Sequence, residues 1–496
     1  MSTEAIEGLK PELLWQRFHQ LAQIPRGSKN EKRVVEFLKD TAASLGLPYK
    51  TDQVGNVIVS VPAAPGYEKS ETVVLQAHID MVCEKNKATE HNFETDPIKL
   101  KREGEFVTAD GTTLGADNGI GASAMLAVMT DSSFVHGPLE CLFTIDEETG
   151  LTGVNNLQPD FVTGRTLLNT DSEEDGAFYV GCAGGQDTAG IFDIVYDYAE
   201  GDYRYFRLAV GGLLGGHSGM DINLRRGNAI KMLARTLATL RKAEVLICTI
   251  EGGSKRNAIP REAEAVIAIK ADKIDAAVSV VGEMESVLRE EYKTAEGALS
   301  VTLTASDTDV LKDDNTTAGK VRAFTGGFAS LIVDVLLALP HGTIAMSPDI
   351  EGLVETSTNL ATVVMDGGKI IVGTSQRSSV ESSKKYIASS VAAVFRLAGA
   401  EIMVTDGYPG WKPDMNSRVL KIAKDVYVKN FGAEPDVKAI HAGLECGILG
   451  DKYPGMDMMS FGPSIFGAHT PDEKVEIKTV DKFYSLLKSI LTELTK

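Results

Sequence analysis

Cysteine is scarce and unpatterned: five residues, at 83, 141, 182, 248 and 446, with no CxxC pair among them. An odd, scattered set suggests neither a disulfide framework nor a thiolate zinc site. It suits a reducing cytosol, so a cytoplasmic location is expected. Positive charge is also short. Fifty Lys and Arg stand against 69 Asp and Glu, a formal net charge of −19. That balance argues against nucleic acid or an anionic membrane as partner. Long apolar runs are missing as well. No uncharged stretch approaches the roughly 20 residues of a membrane helix, and the run 330–340 is interrupted by Asp334. Residues 1–15 have neither a basic n-region nor an apolar h-region, so no signal peptide is expected.

What is present is globular. Of 496 residues, 43% are hydrophobic and 24% charged, too many residues for one compact core. Forty-eight glycines, about a tenth of the chain, suit a loop-rich α/β protein. Residues 31–45 have helical periodicity. Residues 55–61, 72–77, 139–145 and 166–170 read as strands, and 119–129 as a small-residue helix. Strands alternating with helices predict a mixed, mostly parallel sheet with helices on both faces. Ligands collect at the carboxyl ends of such strands, which puts His78, the acids 146–148 and Asp171 on one rim.

From about residue 186 the pattern changes. One unit reads strand (205–210), GGHSG, helix (228–242), strand (246–251), Asn257, strand (263–271), helix (274–292), strand (299–305). A second reads helix (328–339), strand (343–348), Asn359, a strand running from 360 through Gly367-Gly368 to 372, helix (380–398), strand (401–405). Each Asn precedes a strand ending in a cation, Lys270 or Arg377. The expected division is a catalytic domain of 1–186 and 407–496 with an inserted α+β lid, 187–406, made of two related units.

Only eight histidines occur, so few can carry chemistry. His78 ends an apolar strand, and Asp80, two residues on, faces the same side and can orient it. Asp117 lies in GADNGIGA; it is either a helix cap or a carboxylate shared between cations. No lysine follows as in a phosphate-binding loop. Asp146, Glu147 and Glu148 are three adjacent acids whose mutual repulsion needs compensation. His469 stands before Thr470-Pro471, an N-cap and N1 pair that predicts a helix directly after it. Two histidines (78, 469) with Asp117, Glu147 or Glu148, and Asp171 are a donor set for Zn²⁺, with Mn²⁺ or Co²⁺ as alternatives.

Taken together, LQAHIDMV, LGADNGIGA, IDEETG, NTDSEE, GGHSG and AHTPDE resemble the M20 family of di-zinc metallopeptidases, in that family's order and over nearly the whole chain. The doubled lid and HAGLECGIL (441–449) are most similar to its aminoacyl-histidine dipeptidase branch. The resemblance implies two Zn²⁺ per subunit. His78 and Asp171 would hold one, Glu148 and His469 the other, and Asp117 both. Asp80 would orient His78, and Glu147 would be the general base. His217, in GGHSG, would stabilise the oxyanion. Arg377 would grip the substrate's terminal carboxylate, Asn257 would hydrogen-bond substrate, and Glu445 would meet its α-amine. The implied reaction is hydrolysis of unblocked dipeptides, preferring Xaa-His and including β-alanyl-histidine. The rivals are an M20 deacylase or tripeptidase and a non-catalytic metal- or peptide-binding protein; a phosphoesterase lacks a basic cluster here. A doubled lid is compatible with a monomer or a homodimer.

Overall fold

The computed structural model describes residues 3–306 and 320–496. These form two compact units. The first comprises Met1–Cys182, Trp411–Ala439 and Leu444–Lys496; the second comprises Ala183–Gly410 and Ile440–Gly443.

The first unit is built on an eight-stranded sheet. Its spatial order is Tyr49–Thr51, Val57–Val61, Leu139–Thr144, Val73–His78, Thr166–Asn169, Asp457–Ser460, Ala177–Cys182, Asp436–Ile440. The four central strands are mutually parallel, and the pairings outside them at Val57–Val61 and Ala177–Cys182 are antiparallel. Every residue of Val73–His78 and Leu139–Thr144 is buried, as expected where a parallel sheet is covered on both faces. Helix Ala116–Val128 packs on Val73–His78, and Arg418–Phe431 on Asp457–Ser460. A separate four-stranded sheet brings Lys474–Glu476 beside Phe106–Ala109.

Direction and register then place the chemistry. Leu139–Thr144, Val73–His78 and Thr166–Asn169 are adjacent and parallel, with His78 opposite Thr144 and Gln76 opposite Asn169. Their carboxyl ends therefore deliver His78, the acids 146–148 and Asp171 to one edge, as their positions in the sequence require.

The second unit is a wholly antiparallel sheet of nine strands carrying the helices Ala229–Leu240, Ile274–Glu291, Gly326–Ala338 and Glu381–Leu397. Its two halves repeat one order. Ser300–Ala305, Tyr203–Gly211, Ala263–Lys270, Leu246–Gly252 is answered by Glu401–Val404, Gly184–Asp193, Lys369–Ser378, Val354–Asp366. The halves join through one pairing, Gly252 with Val363.

Two sequence readings are corrected here. The strand expected to run through Gly367-Gly368 is a hairpin. Both glycines have positive φ (+54° and +81°), and Asp366 pairs with Lys369 across the turn. Asn359 thus lies inside Val354–Asp366, whereas Asn257 lies between its two strands, so the asparagines are not equivalent. Nor does a helix follow His469. Residues 470–472 turn instead, with Thr470 Oγ1 donating to the Gly467 carbonyl, and the chain enters strand Lys474–Glu476. Pairing with Phe106–Ala109 pulls the backbone out of helical geometry before a first turn can form. Among the described residues, no helix is long and apolar enough to cross a membrane.

Candidate active site

In the first unit, the shared feature is Asp117. Its Oδ1 lies 3.1 Å from His78 Nε2 and its Oδ2 3.1 Å from His469 Nε2. Asp171 Oδ1 stands 3.2 Å from the same nitrogen of His78, and Glu148 Oε2 3.1 Å from that of His469. Two groups result, His78–Asp117–Asp171 and Asp117–Glu148–His469, each with its donor atoms within 4.8 Å of one another. Asp171 Oδ1 and Glu148 Oε1 are buried without a hydrogen-bond partner. Imidazole nitrogens and carboxylate oxygens without thiolate, some of them left unsatisfied, fit a pair of divalent cations.

The electrostatics agree. Burial opposes the charged form of His78, but Asp171, Asp117 and Asp80 outweigh it and push the imidazole well above its usual range. Hydrogen bonding to Asp117 and Glu148 pushes His469 up to about 11. Burial, with the charges of Asp117 and Glu148, pushes Asp171 up to about 6 against the pull of His78. Such a field draws positive charge, as protons or as metal.

Local structure explains how each donor is held. Asp80 is completely buried. Its Oδ1 is 3.3 Å from His78 Nδ1 and accepts from the Glu147 N–H (3.1 Å); its Oδ2 accepts from Ser28 Oγ (2.7 Å) and the Glu148 N–H (3.2 Å). One carboxylate thus stands beside an imidazole and fixes the backbone of two neighbouring acids. Asp146 and His469 both have left-handed backbone, φ +47° and +65°. For non-glycine residues this costs about 1–3 kcal/mol and clusters at functional sites. Asp146 supports its own turn by accepting from the Thr149 and Thr152 hydroxyls, while its N–H donates to Glu31 Oε1 at 3.1 Å. Glu31, Asp80 and Asp146 form a third acidic cluster, but each of them already accepts hydrogen bonds from protein N–H or O–H donors.

Glu147 is partly buried, within reach of His78 and Glu148. Burial, reinforced by the charges of Asp171, Glu445 and Glu148 and opposed by His78, pushes its carboxyl well above the usual range. Glu445 is fully buried at the start of helix Glu445–Lys452. Its Oε2 accepts from Gln76 Nε2 (2.5 Å) and Thr144 Oγ1 (2.8 Å), and its Oε1 has no partner. Burial raises it to about 7.

The second unit holds the other expected residues. His217 pairs through Gly216–His217 with Ala258–Ile259. Gly216 has φ +141°, and a Cβ there would clash with Arg226 Nη1, so the turn requires glycine. His217 Nδ1 accepts from the N–H groups of Gly219 (3.2 Å) and Met220 (3.1 Å). The proton of the neutral ring is therefore assigned to Nε2, which makes that atom a donor. Burial and the Arg377 charge lower its pKa and keep the ring neutral. Arg377 is buried, its Nη1 donates to Tyr408 Oη at 3.0 Å, and its Nε has no partner. Lys270 is half-buried, with its Nζ 3.9 Å from Glu244 Oε2. Asn257 is exposed, its carbonyl accepting from the Ser218 N–H at 2.9 Å.

Sequence reasoning missed His441. It is buried opposite Arg377, its Nε2 2.7 Å from Oγ of Ser357, the cross-strand partner of Arg377. Burial and Arg377 push it down to about 3. Its place before GLEC was a signal, but Glu445, four residues on, belongs to the other unit.

Residues 74–493 match the model for peptidase family M20/M25/M40. The chain is 40% identical over 487 residues to the cytosol non-specific dipeptidase of Escherichia coli strain K12, covering 98% of each. The solved aminoacylhistidine dipeptidase of Vibrio alginolyticus superimposes with a TM-score of 0.89 at 41% identity, over 98% of this chain and 97% of that one. A tripeptidase from Staphylococcus aureus, 17% identical with a TM-score of 0.56 over 98% and 99%, shares the fold.

Proposed function

The chain belongs to peptidase family M20/M25/M40 and is a hydrolase, and on that premise we propose that it cleaves unblocked dipeptides, preferring histidine as the second residue. β-Alanyl-histidine falls within the proposed class. The two full-length relatives carry different substrate descriptions, non-specific dipeptidase and aminoacylhistidine dipeptidase; an unblocked Xaa-His dipeptide suits both. The observation that carries the metal-dependent part is Asp117, whose two oxygens each face a different imidazole at 3.1 Å. A cytoplasmic location goes with the proposal, as the name of the Escherichia coli relative suggests.

In this reading His78 and Asp171, Glu148 and His469, with Asp117 between them, would hold two Zn²⁺, Co²⁺ or Mn²⁺ being the alternatives. Bound there, the ions would supply a lowered water pKa and Lewis-acid polarisation of a carbonyl. Glu147 takes the proton of the attacking water on its carboxylate and returns it to the leaving amine. Asp80 keeps His78 in one ring orientation. His217 Nε2–H donates to the developing oxyanion. The forked guanidinium of Arg377 grips the terminal carboxylate, Asn257 hydrogen-bonds the substrate, and the unpartnered Glu445 Oε1 accepts from the α-ammonium.

Two experiments test this. Apo protein and protein reconstituted with Zn²⁺ are assayed against a panel of free dipeptides, N-blocked dipeptides and tripeptides. Metal-dependent cleavage confined to free dipeptides, fastest for Xaa-His, is expected; cleavage of the blocked or longer substrates instead would assign a deacylase or tripeptidase. Second, Arg377→Ala should raise KM for dipeptides by about 10–100-fold, the worth of a charged hydrogen bond, while Lys270→Ala leaves it unchanged. The reverse pattern would reject the assignment of the carboxylate to Arg377.

A further inference from the structure

We propose that Glu473, together with Arg26, is the positioning residue that fixes Asp117 between His78 and His469 and so sets how tightly the metal pair binds. The inference rests on the two-metal reading above and goes beyond it to residues that touch neither ion nor substrate.

Four successive backbone N–H groups converge on the Glu473 carboxylate. Leu114 and Gly115 donate to Oε2 at 2.7 and 2.9 Å; Ala116 and Asp117 donate to Oε1 at 2.7 and 3.3 Å. Consecutive amides aimed at one point form an anion-binding concavity, here filled by the protein's own carboxylate. Hydrogen bonds to an ionised group are roughly twice as strong as neutral ones, and Glu473 is only 2% exposed. Its own carbonyl accepts from Thr108 Oγ1 at 2.8 Å.

Arg26, 3% exposed, ties this loop to the first histidine. Its Nη1 donates to the carbonyls of Ile79 (2.9 Å) and Asp80 (3.0 Å), and its Nη2 to that of Gly115. The approach is so close that a Cβ on Gly115 or Gly119 would meet Nη2 at 2.5 or 2.6 Å. Gly115 also has φ +68°. Both glycines of the GADNG segment are therefore required by the guanidinium, and Gly115 by the turn as well.

The arrangement is more than a helix cap. Asp117 (φ −78°, ψ 113°) and Asn118 are not helical, so the regular helix starts only after them. Glu473 holds the irregular stretch that presents Asp117. It does so from the turn that carries His469, four residues earlier. One turn thus supplies an imidazole 3.1 Å from Asp117 Oδ2 and clamps the backbone of that same aspartate.

The test is Glu473→Gln, which keeps the shape but turns an amide NH₂ toward two of the donors. Purified wild type and variant, stripped of metal, are titrated with Co²⁺ by visible absorption. Folding is followed by circular dichroism, and kcat and KM are measured on the loaded enzymes. Wild type is expected to take two Co²⁺. The folded variant should bind the pair about 10–100-fold more weakly, with an altered Co²⁺ spectrum and a fall in kcat rather than a rise in KM. A variant with wild-type affinities and spectrum would overturn the inference, even if it melts earlier. Fewer than two Co²⁺ on wild type would instead defeat the two-metal reading. Should the Gln variant not fold, Arg26→Lys, which keeps the charge but cannot span three carbonyls, serves with the same expectations; failure of both to fold would make the pair scaffold only and would also overturn the inference.

Discussion

Glu147→Gln is expected to lower kcat for dipeptide hydrolysis by about 10²–10⁴-fold while both divalent ions stay bound. Glutamine matches the size of glutamate but cannot accept a proton at working pH. The backbone around it should not move, because the N–H groups of residues 147 and 148 are held by Asp80, independently of the Glu147 side chain. The metal donors are likewise untouched, since Asp117, Asp171, Glu148, His78 and His469 form the two groups without Glu147. Metal content by elemental analysis and steady-state kinetics on one preparation read the two quantities separately. A Glu147→Gln enzyme with near-wild-type kcat would remove Glu147 from the reaction. Loss of metal together with activity would make it a ligand instead, the alternative that adjacent acids leave open.

Asp117→Asn should be at least as damaging, for a different reason. The aspartate has one oxygen directed at each imidazole. The amide keeps one acceptor and replaces the other with NH₂, which offers a cation no lone pair. Two neighbouring cations would also lose the negative charge between them that offsets their repulsion. Bound metal should fall from two ions per chain to one or fewer. Metal assistance is worth several kcal/mol, so at 1.36 kcal/mol per tenfold hydrolysis should drop by about 10³-fold or more. Excess Zn²⁺ should restore little of it. An Asp117→Asn protein that retains two ions and wild-type turnover would show that the shared carboxylate is not what assembles the centre.

These outcomes would separate the acids of the IDEETG segment, whose crowding is physically costly. Asp146 is a turn residue, its left-handed backbone held by two threonine hydroxyls and Glu31. Glu148 faces His469, and burial together with neighbouring carboxylates raises the pKa of Glu147. Three adjacent acids look alike in sequence; their partners distinguish them.

By itself the sequence determined the main alternation of helix and strand between residues 31 and 170 and the edge at which its chemistry collects. All-buried strands such as Val73–His78 have to be central, and a parallel sheet puts their following residues on one side. It also pointed to the donor types, since the scattered cysteines form no thiolate-site pattern and few histidines exist. The family motifs, being contiguous, were legible as strings. What only the tertiary structure decided depends on contacts between distant segments. That the two oxygens of Asp117 face different imidazoles requires residues 78 and 469 to arrive on either side of it. The clamp of Glu473 on residues 114–117 and of Arg26 on Gly115 joins segments hundreds of residues apart or nearly a hundred. The turn after His469 overrode a good capping pair because strand pairing and the buried Glu473 carboxylate claimed that backbone. In the second unit, the hairpin at Gly367-Gly368 and the placing of His441 beside the Ser357–Arg377 pair follow from cross-strand register. Local propensity reports on neighbours in the chain. Register, burial and the pairing of buried charges are set by neighbours in space.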